Sequence, residues 1–115
     1  MSLDEVTTSL ASAGVESYWV DYRACRVICY MRNGDVFILE VDPPGKSIPY
    51  EFSNMCIQAA VNGLQRGELI FPDFTRDIQA AGCVGYAVWI LGKVVTYHGR
   101  KGEQHVDHMP GFLMP

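Results

Sequence analysis

This chain of 115 residues is short of the features that most directly announce a function. Its longest apolar stretch, at 84–91, is interrupted by Gly85 and followed by Gly92 and Lys93. That is far short of the ~20 residues a membrane-spanning helix requires, so no membrane association is expected. Positive charge is scarce as well, with nine Lys and Arg against thirteen Asp and Glu and a formal net charge of −4. A nucleic-acid surface needs concentrated cations to neutralise phosphates, and these are scattered, so no nucleic-acid partner is expected. There is no C-x-x-C pair among Cys25, Cys29, Cys56 and Cys83. Cys25 and Cys29, if they shared a strand, would lie about 13 Å apart at Cα, beyond the ~7 Å reach of a disulfide. Four reduced thiols are the expectation, with Cys83, which follows Gly82 at a helix end, read as structural and not reactive.

Cofactor and metal signatures are missing too. Gly82, Gly85 and Gly92 match neither a phosphate loop nor the spaced glycines of a dinucleotide fold, and no nucleophile elbow is present, so no cofactor is expected. The one compact group of metal-ligating types is His105, Asp107 and His108. On a strand the first two share a face and the third points away, so no metal site is expected.

What is present is ordinary globular material. Apolar residues make up 49% and charged residues 19%, which suits one ordered core and a single domain spanning 1–115. Asp4 and Glu5 stand where a secretory signal would carry positive charge, so a cytoplasmic protein is the expectation. Leu3, Val6, Leu10 and Ala13 fall at helical spacing before Gly14, predicting a first helix over 3–13. Alternation then predicts three strands: Tyr18, Val20 and Tyr22; Val27 and Cys29; Val36, Ile38 and Glu40. Asn33-Gly34 predicts a type I′ hairpin turn. Asp42-Pro43-Pro44-Gly45 ends the meander, because proline cannot continue a strand. Ser53 is the expected N-cap of a second helix over 53–66, with Met55, Cys56, Ala59, Ala60, Gly63 and Leu64 as its buried side. Phe71-Pro72-Asp73 opens a third helix, since proline suits the first turn and Asp the positive end of the dipole. Strands around 84–91, 94–98 and 103–107 follow.

The two ends of the chain repeat one another. Placing 4–43 over 72–110 matches Leu10 with Ile78, Ala13 with Ala81, Gly14 with Gly82, Tyr18 with Tyr86, Val20 with Val88, Tyr30 with Tyr97 and Gly34 with Gly102. The expected fold is therefore α+β: two repeats of a helix plus a three-stranded meander, forming an antiparallel sheet with three helices. The copies differ in their third strand, Asp35-Val36-Phe37-Ile38-Leu39-Glu40 against Glu103-Gln104-His105-Val106-Asp107-His108. The first is apolar on both faces and the second exposes a polar face.

The segments Gly67-Glu68, Phe71-Pro72-Asp73-Phe74, Ala80-Ala81-Gly82-Cys83-Val84-Gly85-Tyr86 and 92–105, with Pro110 beyond, resemble the YbcV-like family of small bacterial proteins. That is a domain of unknown function, some of whose members are labelled phage envelope protein. The resemblance covers about 63–110 and implies a fold more than an activity.

Two function classes follow. The first is a binding or protein-interaction module, expected to self-associate as a homodimer through Trp19 and Trp89, which alternation puts on the face opposite the tyrosines. The second is a small enzyme or small-ligand binder on the second hairpin, lined by Tyr97, Arg100, Glu103, His105 and Asp107. There an imidazole flanked by carboxylates would serve as a general base and Arg100 would fix an anionic group.

Overall fold

Helical spacing and strand alternation organise the chain into the elements of a computed structural model, which describes residues 9–108. These are β1 (Val15–Asp21), β2 (Arg26–Met31), β3 (Val36–Glu40), α1 (Asn54–Gln65), α2 (Phe71–Ala80), β4 (Gly85–Trp89), β5 (Val94–His98) and β6 (Gln104–His108). Residues 9–12 are helical and lead into β1; the rest of the helix predicted over 3–13 lies outside the described residues. The six strands form one antiparallel sheet in the order β3-β2-β1-β4-β5-β6. The α+β class and the single six-stranded sheet are as expected.

Period-two alternation selects the core. Tyr18 and Val20 of β1, Cys29 of β2, Tyr86 and Val88 of β4, and Val95 and Tyr97 of β5 are buried in one cluster with Ile57, Val61 and Leu64 of α1 and Phe74 and Ile78 of α2. Rings meet across the strands, Tyr18 and Tyr86 at 6.5 Å between centroids and Tyr86 and Tyr97 at 5.6 Å, and between helix and sheet, Phe74 and Tyr97 at 6.4 Å. Such pairs add roughly 0.5–1.5 kcal/mol each beyond their buried area. Burial pushes the Tyr86 and Tyr97 phenols well above their ordinary values, so both stay uncharged.

Ser53 caps α1 as expected, its Oγ accepting from the Cys56 N–H at 3.1 Å, an interaction worth about 1 kcal/mol. The buried side of α1 differs from the prediction. Ile57, Ala60, Val61 and Leu64 face inward, while Met55, Cys56 and Ala59 are exposed. Turning the helix this way sets the larger Ile57 and Val61 against the sheet, and each square ångström of apolar surface removed from water contributes about 25 cal/mol. In α2, Pro72 occupies the first turn and Asp73 pairs with Arg76.

The Asn33-Gly34 turn is not type I′. That geometry needs positive φ at both residues, and only Gly34 has it, at +94°. The Asn33 side chain accepts from the Asp35 N–H at 2.9 Å, the Gly34 N–H donates to Met31 at 3.0 Å and the Met31 N–H to Asp35 at 2.9 Å. This is a single-glycine turn of the bulged kind. The strand register does not bear out the predicted match of Tyr30 with Tyr97. Tyr18 pairs with Cys29 as Tyr86 pairs with Tyr97, so Cys29 and not Tyr30 occupies the place of Tyr97. Tyr30 falls on the opposite face, exposed.

All four cysteines are free. Cys83 is buried with its thiol donating to the Gly85 carbonyl at 3.2 Å, and burial pushes its pKa up to about 11. It is a structural thiol, as expected.

Gly82 ends α2 at φ +95°, and a Cβ there would run into the Glu51 carbonyl, whereas Gly34 at φ +94° has open space around it. Gly34→Ala should therefore cost about 1 kcal/mol from backbone strain alone. Gly82→Ala should cost about 3 kcal/mol or more, because strain and steric conflict add. Urea unfolding of the two variants measures the difference; equal losses would contradict it.

Candidate functional site

The second hairpin separates the residues expected to form one site. Tyr97 is fully buried under the helices and presents no surface to a ligand. His105 pairs with Tyr97 across β5 and β6 and so points to the helix side of the sheet, its ring centroid 6.1 Å from that of Tyr97. Its Nδ1 lies 3.0 Å from Asn54 Oδ1 and its Nε2 3.0 Å from Gln58 Oε1. These two amides stand one helical turn apart on α1, which is why a strand residue can engage both at once. The ring is thus bound by amides where carboxylates were anticipated, and it ties β6 to α1. The Glu103 carboxylate turns back within its own loop, accepting from the Lys101 N–H at 2.8 Å and lying 3.6 Å from the Lys101 ammonium. Its pKa is held below the usual range, chiefly by its own backbone N–H and then by Lys101. Asp107 is half-buried on the same strand face as His105.

Arg100 leaves this group altogether. Its Nε donates to the Ile48 carbonyl at 2.9 Å, and the guanidinium stacks over Tyr50 at 4.6 Å from the ring centroid. It joins a groove of about 450 Å³ formed by the β1–β2 turn and the 43–48 loop, where Arg23 and Lys46 also lie. Sequence spacing gave no sign of this meeting, because it joins three loops far apart in the chain.

The strongest surface feature is β3. Val36, Phe37, Ile38 and Leu39 are 52%, 54%, 58% and 57% exposed, so neither face of this edge strand is covered. Phe37 and Leu39 pair with Cys29 and Val27 and therefore lie on the helix side. Val36 and Ile38 lie on the open side with Tyr30 and Ile28. The sequence signal for this was the loss of alternation at 36–39.

No family model matches the chain and no curated protein is significantly similar to it. The resemblance to the YbcV-like family accordingly draws no support from these comparisons and assigns no site. The indole pair divides: Trp89 is 49% exposed, whereas Trp19 is half-buried, edge-on to His98 at 5.3 Å with its Nε1 3.5 Å from Asp21 Oδ2. Partial burial lowers the His98 pKa. Among the described residues no three His, Cys, Asp or Glu side chains converge as they would on a metal ion, and no helix is long and apolar enough to cross a membrane.

As a tie between β6 and α1, His105 should matter to stability. His105→Ala is expected to cost about 1–2 kcal/mol, for two partly exposed hydrogen bonds, and to speed amide exchange along β6 before the rest of the sheet. Unfolding free energies within 0.3 kcal/mol, with unchanged exchange, would contradict this role.

Proposed function

We propose that this domain is a self-associating interaction module, in which β3 of one copy pairs antiparallel with β3 of a second. The observation that carries the reading is the apolar exposure of both faces of one edge strand. An edge strand offers unpaired N–H and C=O groups, and chains ordinarily protect such edges with charge or a covering element. The opposite edge, β6, has that protection: Gln104, His105, Asp107 and His108 are polar, and α1 covers its helix side through His105. β3 has neither.

Edge pairing accounts for both faces at once. Centred on Ile38, it sets Phe37 of one copy beside Leu39 of the other on the helix side, and keeps Asp35 and Glu40 toward the ends. Packing of two open sheet faces would cover Val36, Ile38 and Trp89 but leave Phe37 and Leu39 in water. A twofold interface uses the same strand in both copies, and the polar β6 edges stop further growth, so the assembly closes as a dimer. A short strand pair lies at the small end of interface sizes, which suits a micromolar dissociation constant.

Duplication gives this asymmetry an origin. Gly14 and Gly82, Cys25 and Lys93, and Gly34 and Gly102 each take positive φ, every pair 68 positions apart. Hydrogen bonds recur at the same offset: Met31 to Asp35 matches Gly99 to Glu103, and Tyr22 to Val84 matches Ile90 to Glu16. Trp19 pairs directly with Ala87, its own counterpart at that offset, as a twofold between β1 and β4 requires. Two copies of a helix and meander, joined by an inserted helix that covers only one of them, would leave the other with a bare third strand. The four free thiols suit a reducing, cytoplasmic setting.

Sedimentation equilibrium tests the reading. The chain should be dimeric at about 100 µM and dissociate on dilution. Ile38→Lys, which puts charge on the edge without touching the core, should be monomeric with an unchanged circular dichroism spectrum. A wild-type monomer at that concentration, or an Ile38→Lys dimer of equal strength, would overturn it.

A further inference from the structure

The groove beside the β1–β2 turn gathers three cations from three separate loops: Arg23, Lys46 and Arg100. None of its lining residues is Asp or Glu, in a chain of net charge −4. Among the described residues the ion pairs are Arg66 with Glu68, Arg76 with Asp73 and Lys101 with Glu103, so the three groove cations have no carboxylate partner. Like charges gathered along one groove without a counter-charge raise the local positive potential, and that potential attracts an anion. Arg100 is also oriented in advance. With Nε bound to the Ile48 carbonyl and its plane stacked on Tyr50, the guanidinium keeps its terminal N–H groups for a ligand, and little side-chain entropy is lost on binding. The second cavity along the 45–49 loop, which Lys46 also lines, differs in character, since it carries Asp77 and its Arg76 is already paired with Asp73.

We propose that this groove binds a small organic anion, with phosphate or carboxylate oxygens held among Arg23, Lys46 and Arg100 and a short carbon body against Pro43 and Pro44. Its volume of about 450 Å³ fits a ligand of that size and not a polymer. The site is independent of β3, so it stands or falls separately from self-association.

Cys25 lines the same groove and serves as a built-in reporter, while exposed Cys56 on α1 is the internal control. The experiment titrates the chain with sodium pyrophosphate and, separately, with citrate at low ionic strength, and follows site-resolved alkylation by iodoacetamide. At least one anion should bind saturably with a dissociation constant of about 1 mM or tighter and slow alkylation of Cys25 with Cys56 unaffected. Pyrophosphate alone identifies a phosphoryl ligand, citrate alone a polycarboxylate, and either result supports the site. Arg100→Gln should weaken binding about tenfold, the worth of a charge-assisted contact. Lys46→Gln, a change at an exposed side chain, should weaken it as well with the thermal melt unchanged, while Arg66→Gln outside the groove should not. Absence of saturable binding by both anions, or equal weakening by Arg66→Gln, would overturn the proposal.

Discussion

The structure turns on how far α1 reaches across the sheet. A six-stranded sheet has two faces and two edges, and the helices among the described residues are gathered on one face. α1 reaches β6, where Asn54 and Gln58 hold His105. Among the described residues no helix reaches β3, which is why Phe37 and Leu39 are exposed on the helix side. One edge is therefore finished and the other is not. At about 25 cal/mol per Å² of apolar surface, covering four large side chains is a substantial drive toward association. The polar character of β6 gives that drive a single direction.

Much of the fold was legible because it rests on local rules. Ser53, Pro72, Gly14 and Gly82 mark helix ends through capping and backbone geometry, and alternation at Tyr18, Val20, Tyr86 and Val88 marks buried strand faces. The less legible parts depend on competition between neighbours. α1 offered two apolar faces, a small one through Ala59 and Gly63 and a bulkier one through Ile57 and Val61, and packing against the sheet chose the second. Asn33-Gly34 carries a hairpin signal, but the Asn33 side chain captures the Asp35 N–H and leaves one residue, not two, in the left-handed region.

The candidate sites were legible in a different sense. The contrast between the third strands was visible in the sequence, and its interpretation depended on what covers each strand, which sequence does not give. A histidine between acidic residues looks catalytic on a strand seen alone. Placed against α1 it is a tether. Four apolar residues in a row look like a buried strand, and at a sheet edge without a helix they become an exposed one. Arg100 shows the same principle: it is three residues from Glu103 in sequence, yet its bond to Ile48 commits it to a loop 52 positions away and to the company of Arg23 and Lys46.

Hydrogen exchange of the β3 amides at high and low protein concentration tests the central claim most directly, because strand pairing protects the outward amides of the paired edge and leaves the other edge alone. The account predicts that alternate amides within 36–40 gain protection as concentration rises, while those of 104–108 do not change. Protection independent of concentration, or a gain at β6, would contradict it.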